Sequence, residues 1–376
     1  MITDSHKVIS FAERILTLLD QGKFTSTYKF AVLLAMMDLS MEHFTKMGVA
    51  PETLTTRQLA EKVIQLYWLH TNPYQVNATE KVLLQNTGRN EAQAEIIQDI
   101  AKFRANSNVG AFAPYFSAKI KDKEGFKKLL DKVEWKLIEM PLPRLQFIGR
   151  SESPFIYSIN WNKDIKKSQV GSYQRKENSD FNNLIYLKKH VGDYFIQLNT
   201  LLRPLIQRQW ASRVAEANKL EEAKLQAFLF SANRLSTTKI NQQLTELQNG
   251  RCFYCDKSVS KAEGKTPEVD HFIPWARYQN DALSNFVVAH RNCNGAKKDF
   301  LANEDHLLNW IVRLDDTMYA SQLEQIAIEN NWELGREVSE NVGRAIYSNL
   351  HDGVELWRLG KDFTLFDRER IAKVWT

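Results

Sequence analysis

All three cysteines of this 376-residue chain, Cys252, Cys255 and Cys293, fall inside the window 250–300. Cys252 and Cys255 have the C-x-x-C spacing that lets one tight turn aim two thiolates at a single soft cation. His290 and Cys293 repeat that geometry as H-x-x-C. Together the four make a closed Cys3His set, the donor complement of a structural zinc ion in tetrahedral N/S coordination. A thioredoxin-like redox pair would leave the second half-site without a purpose. Unrelated buried thiols would have no reason to crowd into one window.

Between the half-sites lie Val269-Asp270-His271-Phe272-Ile273-Pro274 and then Asn285, and Asn294 follows the last cysteine directly. This arrangement resembles the HNH endonuclease family in its ββα-metal form, over the window and not outside it. The resemblance implies that Asp270 and Asn294 hold a catalytic divalent ion, Mg2+ or Mn2+, since a carboxylate and an amide oxygen are hard ligands suited to either. It implies His271 as the general base that takes a proton from the attacking water. Adjacent residues of an extended strand point to opposite sides, so the carboxylate and the imidazole are expected to flank the scissile phosphate. Asn285 matches the family's middle asparagine, which braces the loop between the strands and orients the base. Lys297 stands where such enzymes often carry a lysine, and on the opening turn of a helix it would reach a phosphate oxygen; Lys298 is a second candidate. The alternative for both is solvated surface charge. The family's commoner pattern has four cysteines, and His290 stands in place of the third; imidazole is an accepted zinc ligand, so the site is retained.

These residues need elements to position them. The length implies two or three domains, and 43% hydrophobic with 25% charged residues is the composition of a folded protein. A formal charge of +5 permits nucleic-acid binding without demonstrating it. No apolar run is long enough for a membrane segment, the first residues lack the features of a secretory signal, and cysteines in metal spacing fit a reducing interior, so a cytoplasmic location is expected.

The expected fold is mainly α with small β elements, a helical N-terminal region joined to a zinc-braced ββα-metal nuclease module. Apolar periodicity places helices from Lys7, after 25–27 (apolar nearly all round, hence buried), from Thr55 or Thr56 to His70, over 90–105 and from Lys119. The connection 42–54 is too long for a helix-turn-helix, so the third helix is read as core. Two strands, 144–148 and 155–159, are expected to form a hairpin, followed by a basic loop to 180. One long helix is expected over 182–218, kinked at Pro204; Arg203, Arg208 and Arg213 on it share no face. A helix over 237–248 leads to the knuckle, one over 301–314 closes the module, and the tail is expected to be mostly helical. Domain boundaries are placed at 1–142, 143–233, 234–314 and 315–376.

Three functions are consistent with a zinc-braced module. A nuclease uses Asp270, His271 and Asn294 together; a binding-only module would be expected to have lost one of them; a plain interaction protein leaves Asp270 and His271 unexplained. The family implies DNA as substrate and, with one site cutting one strand, a nick from a monomer. An HNH module beside a large helical region also resembles effectors of bacterial antiphage defence systems, of which type II Zorya is one example, and implies other proteins of such a system as partners of the N-terminal region.

Overall fold

The computed structural model describes residues 2–22, 26–76, 79–87, 92–110, 113–148, 151–231, 237–259 and 266–375. Two compact units divide the chain: Met1–Ser40, Ala50–Ala111 and Lys121–Ser231 form the first, and Met41–Val49, Phe112–Ile120 and Ala232–Thr376 the second. Both are mainly helical with small antiparallel sheets.

The first unit begins with α1 (Ile2–Gln21) and α2 (Tyr28–Glu42). Every residue from Phe30 to Ser40 is buried, as an all-round apolar sequence requires. The run carries one carboxylate, Asp38, whose charge is met by Arg203 in a fully buried ion pair that Asn199 supports by accepting from Arg203 Nε at 3.0 Å. Strand β1 (Thr53–Thr55) runs into α3 (Thr56–Trp68), and Thr55 closes a capping box with Gln58 at the junction. Next come α4 (Glu95–Asn106), α5 (Lys123–Glu139), β2 (Tyr157–Ile159), β3 (Leu184–Leu187) and α6 (Asn199–Asn218). The sheet order is β1-β3-β2, with Leu54 opposite Ile185 and Ile185 opposite Ile159.

Several local expectations change in this unit. The stretch 182–218 is a strand and two helices rather than one helix. Asn182 Oδ1 accepts the Leu184 N–H at 2.9 Å and turns the chain into β3, the middle strand of the sheet. His190, at φ +66°, then reverses the backbone into the helix Val191–Gln197 ahead of α6. The hairpin between 144–148 and 155–159 does not form. Gln146 uses its side chain in place of a strand, accepting from Ile156 N at 2.7 Å and donating to Tyr157 O at 3.0 Å. Phe147–Ile148 pairs instead with Ser151–Glu152, and β2 pairs with β3. The basic stretch to 180 contains a helix, Lys167–Gln174. Helix α4 starts at Glu95; residue 90, the expected start, lies outside the described residues. The helix expected from Lys119 is two, Tyr115–Lys121, which lies in the second unit up to Ile120, and α5 in the first, which starts where Asp122 caps it by accepting from Gly125 N at 2.8 Å.

The second unit contains α7 (Thr238–Leu247), β4 (Glu268–His271), β5 (Phe286–Ala289) and α8 (Arg291–Lys297). After them come α9 (Glu304–Asp315), α10 (Thr317–Asn330), α11 (Arg336–Ser348), a β6 (Glu355–Leu359) and β7 (Asp362–Leu365) hairpin, and α12 (Arg368–Val374). The tail is mostly helical, as expected, and the hairpin is its one β element among the described residues: Gly360 at φ +59° makes its turn, and Leu356 and Trp357 are buried on one strand of it. Trp310 of α9 stacks on Phe272 at 4.7 Å between ring centres and donates to Ser284 O at 2.9 Å, holding both ends of the β4–β5 connection. Among the described residues no helix is long and apolar enough to cross a membrane.

Candidate active site and metal centre

The knuckle forms where α7 stops. Asn249 and Gly250 both adopt positive φ, +55° and +63°, and reverse the chain. Cys252 N then donates to Lys257 O and Asp256 N to Cys252 O, both at 2.9 Å, so the loop curls around its two thiols. Phe253 N donates to Val288 O, and the Gln248 amide bonds both the N–H and the carbonyl of Val288, which pins the knuckle to β5. The other half-site follows from helix geometry: His290 is the N-cap residue of α8 and Cys293 sits one turn further.

The donor atoms of Cys252, Cys255, His290 and Cys293 all lie within 4.8 Å of one another. His290 Nδ1 stands 3.3 Å from Cys255 Sγ and 4.0 Å from Cys293 Sγ. Its Nε2 lies 3.0 Å from Ser258 O, a bond that places the proton on Nε2 and leaves Nδ1 as the ligand. Burial pushes the Cys293 thiol up to about 12, with the charges of Cys252 and Cys255 adding to the effect. Three thiolates cannot share such a space without a cation, and soft sulfur with one imidazole in a closed set fits zinc.

Strands β4 and β5 are antiparallel, with Asp270 opposite Val287 and His271 opposite Phe286. Asp270 is buried, and its Oδ2 accepts from Tyr254 OH at 2.5 Å and pairs with Lys297 Nζ at 3.0 Å. Burial and the Asp270 charge raise the Tyr254 phenol far above its usual range, so it stays a donor. Lys297 departs from expectation. It is the last residue of α8, not on its opening turn, and is fully buried, with Nζ also donating to His271 O at 2.8 Å. Its ammonium is held inside the module by Asp270 and the His271 carbonyl. Lys298 is exposed, at φ +49°.

His271 turns to other partners. Its Nε2 is 2.9 Å from Asp281 Oδ1, and its ring packs beside Trp275 and Phe286 at 5.3 and 5.0 Å. Asp281 is itself anchored, since its carbonyl accepts from Trp332 Nε1 at 2.5 Å. Asn285 is completely buried and spans the connecting loop, accepting from Ile273 N at 2.8 Å and donating to Ile273 O and Asn280 O at 3.2 and 3.1 Å. Asn294 donates through Nδ2 to Glu268 Oε2 at 2.9 Å, which orients its amide. Asp281, Tyr254 and Glu268, which contact the candidate site residues, are ones that sequence reasoning missed. Asp281 follows His271 by ten residues with no motif to mark it, and Tyr254 is hidden between the knuckle cysteines.

The zinc-braced β4–β5–α8 arrangement is that of an HNH-type module, and the family model described as HNH endonuclease matches residues 252–302. The chain thus carries an HNH endonuclease module with a metal site. A second model, described as a domain of unknown function (DUF8808), matches residues 10–230, more than half of the chain, and the chain belongs to that family. No curated protein and no solved structure matches it.

Proposed function

We propose that the protein is a metal-dependent DNA endonuclease in which His271 is the general base. The observation that carries this reading is the His271–Asp281 pair beside Asp270, inside the matched module. With Nε2–H donated to Asp281, the lone pair of His271 lies on Nδ1, where it accepts the proton of a water attacking the phosphorus. Asp270 Oδ2 is occupied by Tyr254 and Lys297, so Oδ1 is the ligand atom it contributes, and Asn294 contributes its amide oxygen. A hard divalent ion, Mg2+ or Mn2+, suits that oxygen pair and would supply charge stabilisation at the phosphate and the departing oxygen.

Asn285 keeps the strand connection in register so that the base and the ligands hold one geometry. The contacts such a module makes with phosphate and sugar carry position rather than sequence. One site cuts one strand, and a monomer therefore nicks. An antiphage setting, with partner proteins on the N-terminal region, is proposed on the architecture alone.

The test is a divalent-metal titration on supercoiled plasmid. Wild type should convert it to nicked circle only with Mg2+ or Mn2+, and Asp270→Ala and Asn294→Ala should move the metal midpoint by about tenfold or abolish cleavage. An unaltered titration in both variants would remove them as ligands. Plasmid bound but never cut, with any metal, would favour the binding-only module.

A further inference from the structure

The first unit holds a cavity of about 1160 Å³, bounded by the starts of α2 and α4, the end of α5 and the chain from Pro141 to Lys163. That is large for a small-ligand cleft, for which roughly 300–1000 Å³ is usual. Five cations line it, Lys29, Lys136, Arg144, Lys163 and Lys188, against two acids, Glu95 and Glu152. Lys136 is neutralised by Glu95 at 2.6 Å and Glu139 at 2.8 Å. Arg144, Lys163 and Lys188 form no ion pair among the described residues.

The charge is held there at a cost. Burial, with Arg144 adding repulsion, brings the half-buried Lys29 ammonium down to about 8. The rest of the wall combines aromatic and apolar residues, Tyr28, Phe147 and Trp161 among them, with neutral polar ones such as Asn86, Gln93 and Asn162. Trp161 is fixed in orientation, since Nε1 donates to Ile138 O at 3.2 Å and its ring lies 5.3 Å from Phe181.

We infer that this cavity is a binding site for a nucleotide, its cations meeting the phosphates and its aromatic wall meeting the base. The alternatives fit less well. A metal ion would enter a net positive field, a fatty acid would need one cation rather than several, and inorganic phosphate would leave most of the volume empty. Flat aromatic faces stack on any base, and clustered Arg and Lys recognise phosphate. The inference does not rest on the nuclease reading.

The test is calorimetry on the full chain with ATP, GTP and cyclic di-AMP, using adenosine and pyrophosphate as ring-only and anion-only probes. At least one nucleotide should bind one to one, tenfold or more tighter than either fragment. The double variant Arg144→Glu/Lys188→Glu, both exposed positions, should lose at least tenfold with an unchanged melting curve. Trp161→Ala should weaken the nucleotide about fivefold and leave pyrophosphate unaffected. His271→Ala should bind as wild type does. Absence of binding by all three nucleotides at millimolar concentration, affinity unmoved by charge reversal, or pyrophosphate binding as tightly as the nucleotide would each overturn the inference. So would a single-stranded oligonucleotide that binds through the same residues and excludes the nucleotides, which would make the cavity part of a nucleic-acid path.

Discussion

The imidazole of His271 and the carboxylate of Asp281 meet through Nε2 and Oδ1 at 2.9 Å, with 16% and 19% of their side chains exposed. The pair fixes both the tautomer and the ring plane of the proposed base. Removing the charge while keeping the shape should therefore impair proton transfer without unfolding the module. Asp281→Asn is expected to lower the cleavage rate by about ten- to a hundredfold, with substrate affinity and melting temperature unchanged. A rate within twofold of wild type would show that Asp281 does not position His271.

Lys297 distinguishes a buried role from a surface one. Its ammonium is fully enclosed with Asp270 and His271 O, so truncation leaves a buried carboxylate without its cation. Lys297→Met is expected to cost about 3 kcal/mol in denaturant unfolding, whereas Lys298→Ala at an exposed position should cost less than about 0.5 kcal/mol. Equal, small effects from both would mean that Lys297 is not held as described.

Zinc is expected at one ion per chain by elemental analysis. Cys252→Ala should lose it and fall in solubility and melting temperature, because metal binding at such knuckles is folding free energy, on the order of 10 kcal/mol in isolated finger peptides. A zinc-free protein with an unaltered melting curve would remove the structural site.

Lys29 supplies a pH dependence in the first unit. Its folded value, about 8, lies below its ordinary value of 10.5, so between these the unfolded chain binds more protons than the folded one and stability rises with pH. The penalty of the charged Lys29 is complete below pH 8 and gone above 10.5. Thermal unfolding of Lys29→Met and wild type should differ most at pH 7, with the variant gaining relative stability, and the difference should narrow toward pH 10. A difference that stays constant over that range would contradict the shift.

Legibility followed the range of the interactions involved. The Cys3His cluster could be read because its donors come in two short half-sites whose spacing is itself geometry. The buried second helix was equally plain, since an all-round apolar run has one physical outcome. Asp281 left no trace because its bond to His271 is made by the path of the connecting loop, which Asn285 and Trp332 set from elsewhere in the chain. The long helix over 182–218 failed for a related reason: Leu184–Leu187 is apolar enough for either state, and only pairing with β1 and β2 decides it. The tail hairpin did leave a signal, Gly360 between Trp357 and Phe363, which a strand period would have caught. Lys297 was misplaced because a lysine is normally surface, and burial was decided by the carboxylate it found.

His271 is the proposed proton acceptor on which cleavage depends. The decisive experiment is single-turnover cleavage of supercoiled plasmid by wild type and His271→Ala at saturating Mg2+ or Mn2+, with plasmid binding measured in parallel. Wild type should nick only with the metal, the variant should lose at least a thousandfold in rate, and both should bind plasmid equally. Cleavage by His271→Ala within tenfold of wild type would contradict that role.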